Sequence, residues 1–455
     1  MWLLLAALVA LVFAGSAQAE GTTAVGWGNN MAAQLDAGYR SAVVLSPVNA
    51  QGFEGVVQVQ SGDGNTAALL EDGTVRTYGD NTFGELGVPM TEHHQGIQQP
   101  PIWGVTQIAV GGQHVLALAH GTVYGWGSAQ LGDLGDGRSC MECGVHHPEP
   151  ILSANVVKVF AGDGSSAALT ASGQLYVWGE DRSGQLGVRP NQEGAVVRPT
   201  LTSLTNVKDV AFAGVSSHGG AMYVIKGNGE LFAAGQNAHG QLGIGTVSRP
   251  RSLTHVLNGV SAVAAGAVHA LAITNGTAFA WGANCCGQLG PKAPLSQAVT
   301  RPTPIGPAQE VSAGYAYSLL VDQGIAYGFG ADQEGQLGIG YASKTPISRP
   351  MRIGPFTGIS AGARSAVAMG AGRKPFIRLI RGPGSLTLVW KSSETTERWK
   401  VKCRPKTLPP SGWPAWLILP AATREYTISG LKSGQTYEVW LHNATGGGVV
   451  TGTAG

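Results

Sequence analysis

Charge is scarce in this chain. Asp, Glu, Lys and Arg make up 12% of its 455 residues, about half the usual share of roughly 25%, and leave a formal net charge of +2. So thin and balanced a charge gives no electrostatic footprint for nucleic acid or an anionic membrane, and neither partner is expected. Long apolar runs are missing too: Leu3 to Phe13 is continuously apolar, but a spanning helix needs roughly 18 such residues. There is no Gly-x-x-x-x-Gly-Lys and no His-Glu-x-x-His, so no phosphate loop or zinc-protease helix can be named. Glu92, His93 and His94 lie together with no nucleophile pattern around them. On this evidence the chain is not an enzyme and needs no cofactor.

Glycine, by contrast, is abundant, at 69 residues. It recurs after a small or aromatic residue at Trp27-Gly28, Tyr78-Gly79, Trp126-Gly127, Trp178-Gly179, Ala234-Gly235, Trp281-Gly282 and Phe329-Gly330, at intervals of 47–56 residues. A period of about 50 residues belongs to propeller blades or solenoid arrays. Each unit predicts three strands: one ending in a small residue and glycine, an alternating second, and a third ending in the aromatic-Gly pair. Two-residue turns such as His120-Gly121, Ser172-Gly173 and Asn275-Gly276 are expected between the second and third. A Gly-Gln-Leu-Gly segment then follows, as at 184–187, 240–243, 287–290 and 335–338.

The ends of the array are complementary. The first unit has only the strand Thr23 to Trp27, and the last, Ile359 to Met369, lacks that strand. Pairing the two would remove exposed sheet edges, which predicts a closed ring. The expected fold is therefore all-β, a seven-bladed β-propeller over residues 20–370 closed by the N-terminal strand. Val159 to Gly187 matches almost every position of a pattern that resembles the regulator of chromosome condensation repeat, and the likeness covers residues 22–370. The resemblance implies a propeller; it does not imply one function. Such propellers serve as guanine-nucleotide exchange factors for a small nuclear GTPase, as extracellular β-lactamase inhibitors, as ultraviolet-B photoreceptors and as modules of ubiquitin ligases. The runs characteristic of the photoreceptors are absent here.

Residues 1–19 read as a secretory signal peptide, an apolar run followed by small residues ending in Ala17-Gln18-Ala19 before Glu20, and the mature chain is expected to be secreted and free of the membrane. A hinge over 371–374 separates the repeats from residues 375–455. There, Ser385 to Trp390, Arg398 to Cys403 and Thr436 to Trp440 alternate, Pro405 to Pro420 is proline-rich, and Leu431 with Tyr437 resembles the tyrosine corner of a fibronectin type III β-sandwich, with Trp390 as core tryptophan.

Five cysteines remain, and they are consistent with an oxidising compartment. Cys140, Cys143, His146 and His147 could supply a tetrahedral zinc site. They crowd into eight residues without the usual separation between ligand pairs, so no metal is expected, and a local disulfide or two free thiols are the alternatives. Cys285 and Cys286 are adjacent, where a mutual bond is uncomfortable, and Cys403 is left over. His114 and His269 occupy one repeat position, held elsewhere by Asn65, Ser165, Ser217, Tyr317 and Ser365, which suggests bonding within or between blades. Asp63 and Asp163 follow the repeat glycine in separate blades and form no acid–base pair on sequence alone.

The leading expectation is a secreted binding protein whose propeller loops hold a protein partner. Met90–Pro101, Ser139–Pro150, Arg189–Pro199 and Pro291–Pro304 are the candidate contact loops, with the Trp103 neighbourhood beside the first. Exchange on a small GTPase, implied by the family, is the alternative, and an extracellular enzyme is a third.

Overall fold

In the computed structural model, the described residues are 22–35, 42–50, 53, 55–89, 96–140, 142–188, 194–214, 220–248, 253–371, 376–382, 385–391, 399–405, 417–420, 423, 425–443 and 446–453. The leader at 1–19, Glu92, His93, His94, residues 372–374 of the expected hinge and most of Pro405–Pro420 lie outside them, as does the side chain of Trp390.

The chain is all-β, and seven antiparallel sheets form a propeller. We number the blades by their innermost strands: Val56–Ser61, Val105–Val110, Val156–Ala161, Val207–Ala213, Val260–Ala265, Glu310–Ala313 and Phe356–Ala361. The third blade is typical, with strands Val156–Ala161, Ser165–Thr170, Leu175–Glu180 and Ala195–Leu201 hydrogen-bonded in chain order. The first has three strands, to which Gln98 adds a bridge at Thr77. In the seventh sheet Thr22–Asn29 lies between Ser365–Ala371 and Val43–Asn49, in continuous register from Thr22 opposite Ala371 to Gly28 opposite Ser365.

Turn chemistry divides the hairpins into two groups. His120-Gly121, Asn275-Gly276 and Gln323-Gly324 have positive φ at both residues, as a two-residue turn requires. Ser172-Gly173 instead lies in a four-residue loop between Thr170 and Leu175, closed by the Thr170 N–H donating to the Gln174 carbonyl at 2.9 Å. Asp72-Gly73 and Asn228-Gly229 sit in equivalent four-residue loops. Two-residue turns at every hairpin were thus too uniform an expectation, because Asp72, Ser172 and Asn228, unlike Asn275, do not take positive φ.

Each inner strand turns one edge to the axis, and unpaired backbone there must find partners. Gln58 serves as a surrogate peptide: its Nε2 donates to the Ile108 carbonyl at 2.8 Å, and its Oε1 accepts from the Ile108 N–H at 3.0 Å. Gln107 repeats this with Val159, at 3.0 Å in each direction. Between the blades lies the apolar core, where Trp27, Trp126, Trp178 and Trp281 are all fully buried.

Residues 376–453 contribute a three-stranded and a four-stranded sheet. Leu386 and Leu388 of the first share a small core with Val401, Leu419, Tyr437 and Val439 of the second.

Candidate functional site

All seven inner strands end at one mouth of the axis. A side chain on Gly111 would bring its Cβ to 2.4 Å from the Gly162 carbonyl oxygen, so only glycine lets neighbouring backbones approach this closely. Close approach permits a belt of blade-to-blade hydrogen bonds. Asp63 N–H donates to the Gly112 carbonyl at 3.1 Å, Gly214 N–H to Gly266 at 3.3 Å, Tyr315 N–H to Ala363 at 3.1 Å and Ala363 N–H to Gly62 at 3.4 Å. Asp63, Asp163 and Tyr315 line the depression above this belt, together with Val110, Phe212 and small residues.

Around the mouth stand the Gly-Gln-Leu-Gly turns, and their residues are committed to packing. In the fourth blade the Asn237 Oδ1 accepts the Leu242 N–H at 3.0 Å, and the Gln241 Oε1 accepts the His239 N–H at 2.9 Å. The Gln241 carbonyl then receives the indole N–H of Trp281 from the next blade at 2.7 Å. Trp178 bonds the Asp133 carbonyl at 2.9 Å, Trp126 bonds Glu85 at 3.0 Å and Trp27 bonds Gln336 at 2.9 Å in the same way. In these four blades the tryptophan thus locks its blade to the preceding one.

What varies lies between the Trp-Gly strand and the outermost strand, on this same turn face. Those segments are shorter than expected. Gly144–Ser153, Ala195–Leu201 and Val299–Pro307 are outer strands, so much of three proposed contact loops is sheet. Pro148, Pro150, Pro199, Pro302 and Pro304 hid them: proline is tolerated on an edge strand but erases the alternation by which a strand is read. Trp103 is 65% exposed and sits at the opposite face, beside the hairpin where the Val105 N–H meets the Gly73 carbonyl at 3.0 Å.

The four candidate metal ligands do not converge. Cys140 and Cys143 are joined by a disulfide. His146 and His147 are consecutive on a strand and so face opposite ways, with His147 Nε2 3.4 Å from Glu149 Oε1. Among the described residues no three His, Cys, Asp or Glu side chains group to hold a metal ion.

His114 and His269 bridge blades. The Ser166 hydroxyl donates to the Asp133 carbonyl at 2.8 Å, so it accepts from His114 Nε2 at 2.8 Å, which places the imidazole proton on Nε2. His269, Ser318 and the Gln288 carbonyl repeat the arrangement at 3.0 and 2.7 Å. With His114 and Ser166 fully buried and His114 Nδ1 3.7 Å from Asp133 Oδ2, this Ser-His-Asp group is a packing network closed to substrate. Burial lowers the His114 pKa to about 4 and raises that of Asp133 to about 8, so both are neutral in the folded protein.

A pH signature follows. The raised Asp133 pKa withdraws stability as pH climbs from about 4 toward about 8, whereas the lowered His114 pKa withdraws it as pH falls from 6.5 toward about 4. Gln occupies the Asp133 position in the third to sixth blades. Asp133→Gln should therefore leave melting near pH 4 unchanged and raise it progressively toward pH 8. Thermal melts across that range check this, and an equal effect at both ends would place the gain elsewhere.

This arrangement defines a seven-bladed propeller of glycine-turn repeats, four of its blades locked by tryptophan. The chain belongs to the RCC1-like domain family, whose model matches residues 23–374. It is similar to the E3 ubiquitin-protein ligase HERC2 of Homo sapiens, 29% identical over 286 residues that are 59% of this chain and 6% of that protein. It is also similar to the secretion-regulating guanine nucleotide exchange factor of Bos taurus, 29% identical over 311 residues covering 61% of this chain and 66% of that one. In both cases the match spans less than two thirds of the relative. Prp20p from Saccharomyces cerevisiae, a structure whose study concerns binding to Gsp1p and histones, superimposes with a TM-score of 0.69 at 21% identity, over 77% of this chain and 92% of its own, which establishes the shared fold.

The ligase relatives correct the expectation that the chain is not an enzyme. Proteins named as ligases carry the same repeat, HERC6 of Homo sapiens among them. Because the shared region is a scaffold and a small part of those proteins, a missing catalytic motif in the repeats does not decide the class of the whole. Family membership supports a regulatory or binding role.

Proposed function

We propose that this is a secreted binding protein whose propeller presents its turn face to a protein partner. One observation carries the reading: Met31, Val247, Leu295 and Tyr341 are 79%, 54%, 48% and 49% exposed, and all four lie on the turn face, in the seventh, fourth, fifth and sixth blades. Tyr315 extends this arc to the axial mouth at 39% exposure. Exposed apolar side chains also stand on the opposite face, Trp103 at 65% among them. The turn face is preferred because its four lie on consecutive blades around the axial mouth, and aromatic residues in such a surface carry most of the affinity. Replacing each segment in turn with the short connection of another blade should preserve folding and abolish capture of a purified extracellular partner for at least one segment. Capture that survives every replacement, or travels with residues 375–455, defeats the proposal.

Secretion rests on the leader at residues 1–19. Material collected outside the cell should begin at Glu20 by N-terminal sequencing; an intact Met1 would sink this. Three further features belong to the same reading: closure of the ring by Thr22–Asn29, the domain boundary near 371–374 and a fibronectin type III-like C-terminal domain. The last is supported by the Lys432 N–H donating to the Tyr437 hydroxyl at 2.9 Å, the bond a tyrosine corner makes.

A second reading, exchange on a small GTPase, is favoured by the exchange factor of Bos taurus, which matches 61% of this chain. Accelerated nucleotide release from a purified small GTPase would select it over the first.

A further inference from the structure

The turn after Trp281-Gly282 carries two adjacent cysteines that the fold does not require. Cys285 and Cys286 stand where other blades have Ala238-His239, Arg182-Ser183 or Gln333-Glu334, so these positions tolerate many side chains. Both thiols are free, Cys285 is exposed and Cys286 half-buried, and their sulfurs lie 2.9 Å apart. The rest of the turn is fixed around them. Gln288 accepts the Cys286 N–H at 2.8 Å through Oε1 and donates to Cys285 Sγ at 3.5 Å through Nε2, while Asn284 accepts the Leu289 N–H at 3.1 Å. Asn284 Nδ2 also holds the next segment, donating to the carbonyls of Ala293 at 3.1 Å and Pro294 at 2.9 Å.

We propose that Cys285 and Cys286 form a thiol–disulfide exchange site that takes a low-molecular-weight disulfide of the glutathione type and closes reversibly to a vicinal disulfide. In the first step the Cys285 thiolate attacks one sulfur of the small disulfide. The new bond joins Cys285 to one half, and the other half leaves as a thiolate that takes up the proton Cys285 lost. In the second step Cys286 attacks the Cys285 sulfur and expels the remaining half as thiol. Two protein thiols are oxidised and one disulfide is reduced to two thiols.

Geometry sets the character of each step. The exposed sulfur meets the oxidant first, and the half-buried one is already in contact with it, so resolution needs no chain movement to bring the sulfurs together. Burial, then the hydrogen bond and charge of Cys285, push the Cys286 thiol up to about 12, which leaves little thiolate and makes closure the slower step. Adjacent α-carbons are about 3.8 Å apart across a trans peptide, whereas a relaxed disulfide spans about 4.4–6.8 Å. The closed ring is therefore strained and easily reduced, as regulatory disulfides are. Its closure would act on the 293–296 segment through Asn284. The proposal does not depend on the partner-binding reading.

The test treats the full-length protein with oxidised glutathione, blocks remaining thiols at intervals and maps the cysteine peptides by mass. A single glutathionyl adduct on Cys285 should appear first. It should then give way to an unalkylated peptide lacking two hydrogens, which excess reduced glutathione restores. Cys403, half-buried with its thiol pushed up to about 11, serves as the slow reference. Cys286→Ser should stop at the adduct, and Cys285→Ser should form it at least tenfold more slowly. Two adducts on one peptide, full alkylation of both sulfurs at every time, or a wild-type adduct as lasting as that of Cys286→Ser would each overturn the proposal. If a serine variant fails to fold, the wild-type time course alone decides.

Discussion

Removing residues 20–28 should leave a chain that aggregates or melts far below the intact protein. The excised strand carries Ala24, Val25 and Trp27, all buried, and Trp27 both donates to the Gln336 carbonyl and stacks on Phe356 with ring centroids 6.0 Å apart. Truncating one buried tryptophan costs about 3–5 kcal/mol. Loss of its neighbours and of the Thr22 to Gly28 register carries the total toward the 5–15 kcal/mol by which a typical domain is stable. Deletion would also bare two strand edges, at Ser365–Ala371 and Val43–Asn49, and exposed edges template association. Size-exclusion chromatography and calorimetry of the truncated chain decide the matter. A monodisperse product with unchanged melting would mean that the ring does not depend on this strand. A peptide of residues 22–29 added in trans should partly restore the folded form.

The repeat was legible because it is dictated by sterics that only a few residues satisfy. Gly179 takes φ +103°, and a side chain there would place its Cβ 2.3 Å from the Gly164 carbonyl oxygen, so the position reads as glycine in every blade. Trp178 and its equivalents are visible for the same reason, since each must fill one pocket and reach one carbonyl. Outer strands escaped notice because they have no such demand. Gly144–Ser153 pairs with Thr122–Ser128 through register shifts at Val123/Tyr124 and Gly125/Gly127, and a bulged edge strand needs neither alternation nor β-branched residues. Reading these strands as loops enlarged the candidate contact surface. The exposed arc of Met31, Val247, Leu295 and Tyr341 was illegible for a further reason. Single apolar residues in scattered turns become a surface only when the ring brings their blades side by side.

Truncation of Trp178 should separate the two parts of the blade lock and, with a matching variant in the C-terminal region, the two folding units. Trp178→Phe keeps most of the ring but leaves the Asp133 carbonyl only the Ser166 hydroxyl as donor, an expected loss of about 0.5–1.5 kcal/mol. Trp178→Ala also empties the pocket against Gly135, whose added Cβ would stand only 2.8 Å from the indole. A loss of about 3–5 kcal/mol is expected for that variant. Both should lower the propeller transition in calorimetry and leave untouched a transition arising from residues 376–453. Tyr437→Ala should do the reverse, because Tyr437 is buried with Leu386, Leu388 and Val439 and bonded by the Lys432 N–H, all within that segment. If Tyr437→Ala shifted the propeller as far as Trp178→Ala does, the chain would unfold as one cooperative unit and the boundary near 371–374 would not be a domain boundary. If Trp178→Phe cost as much as Trp178→Ala, the indole hydrogen bond, and not the filling of the pocket, would be what locks one blade to the next.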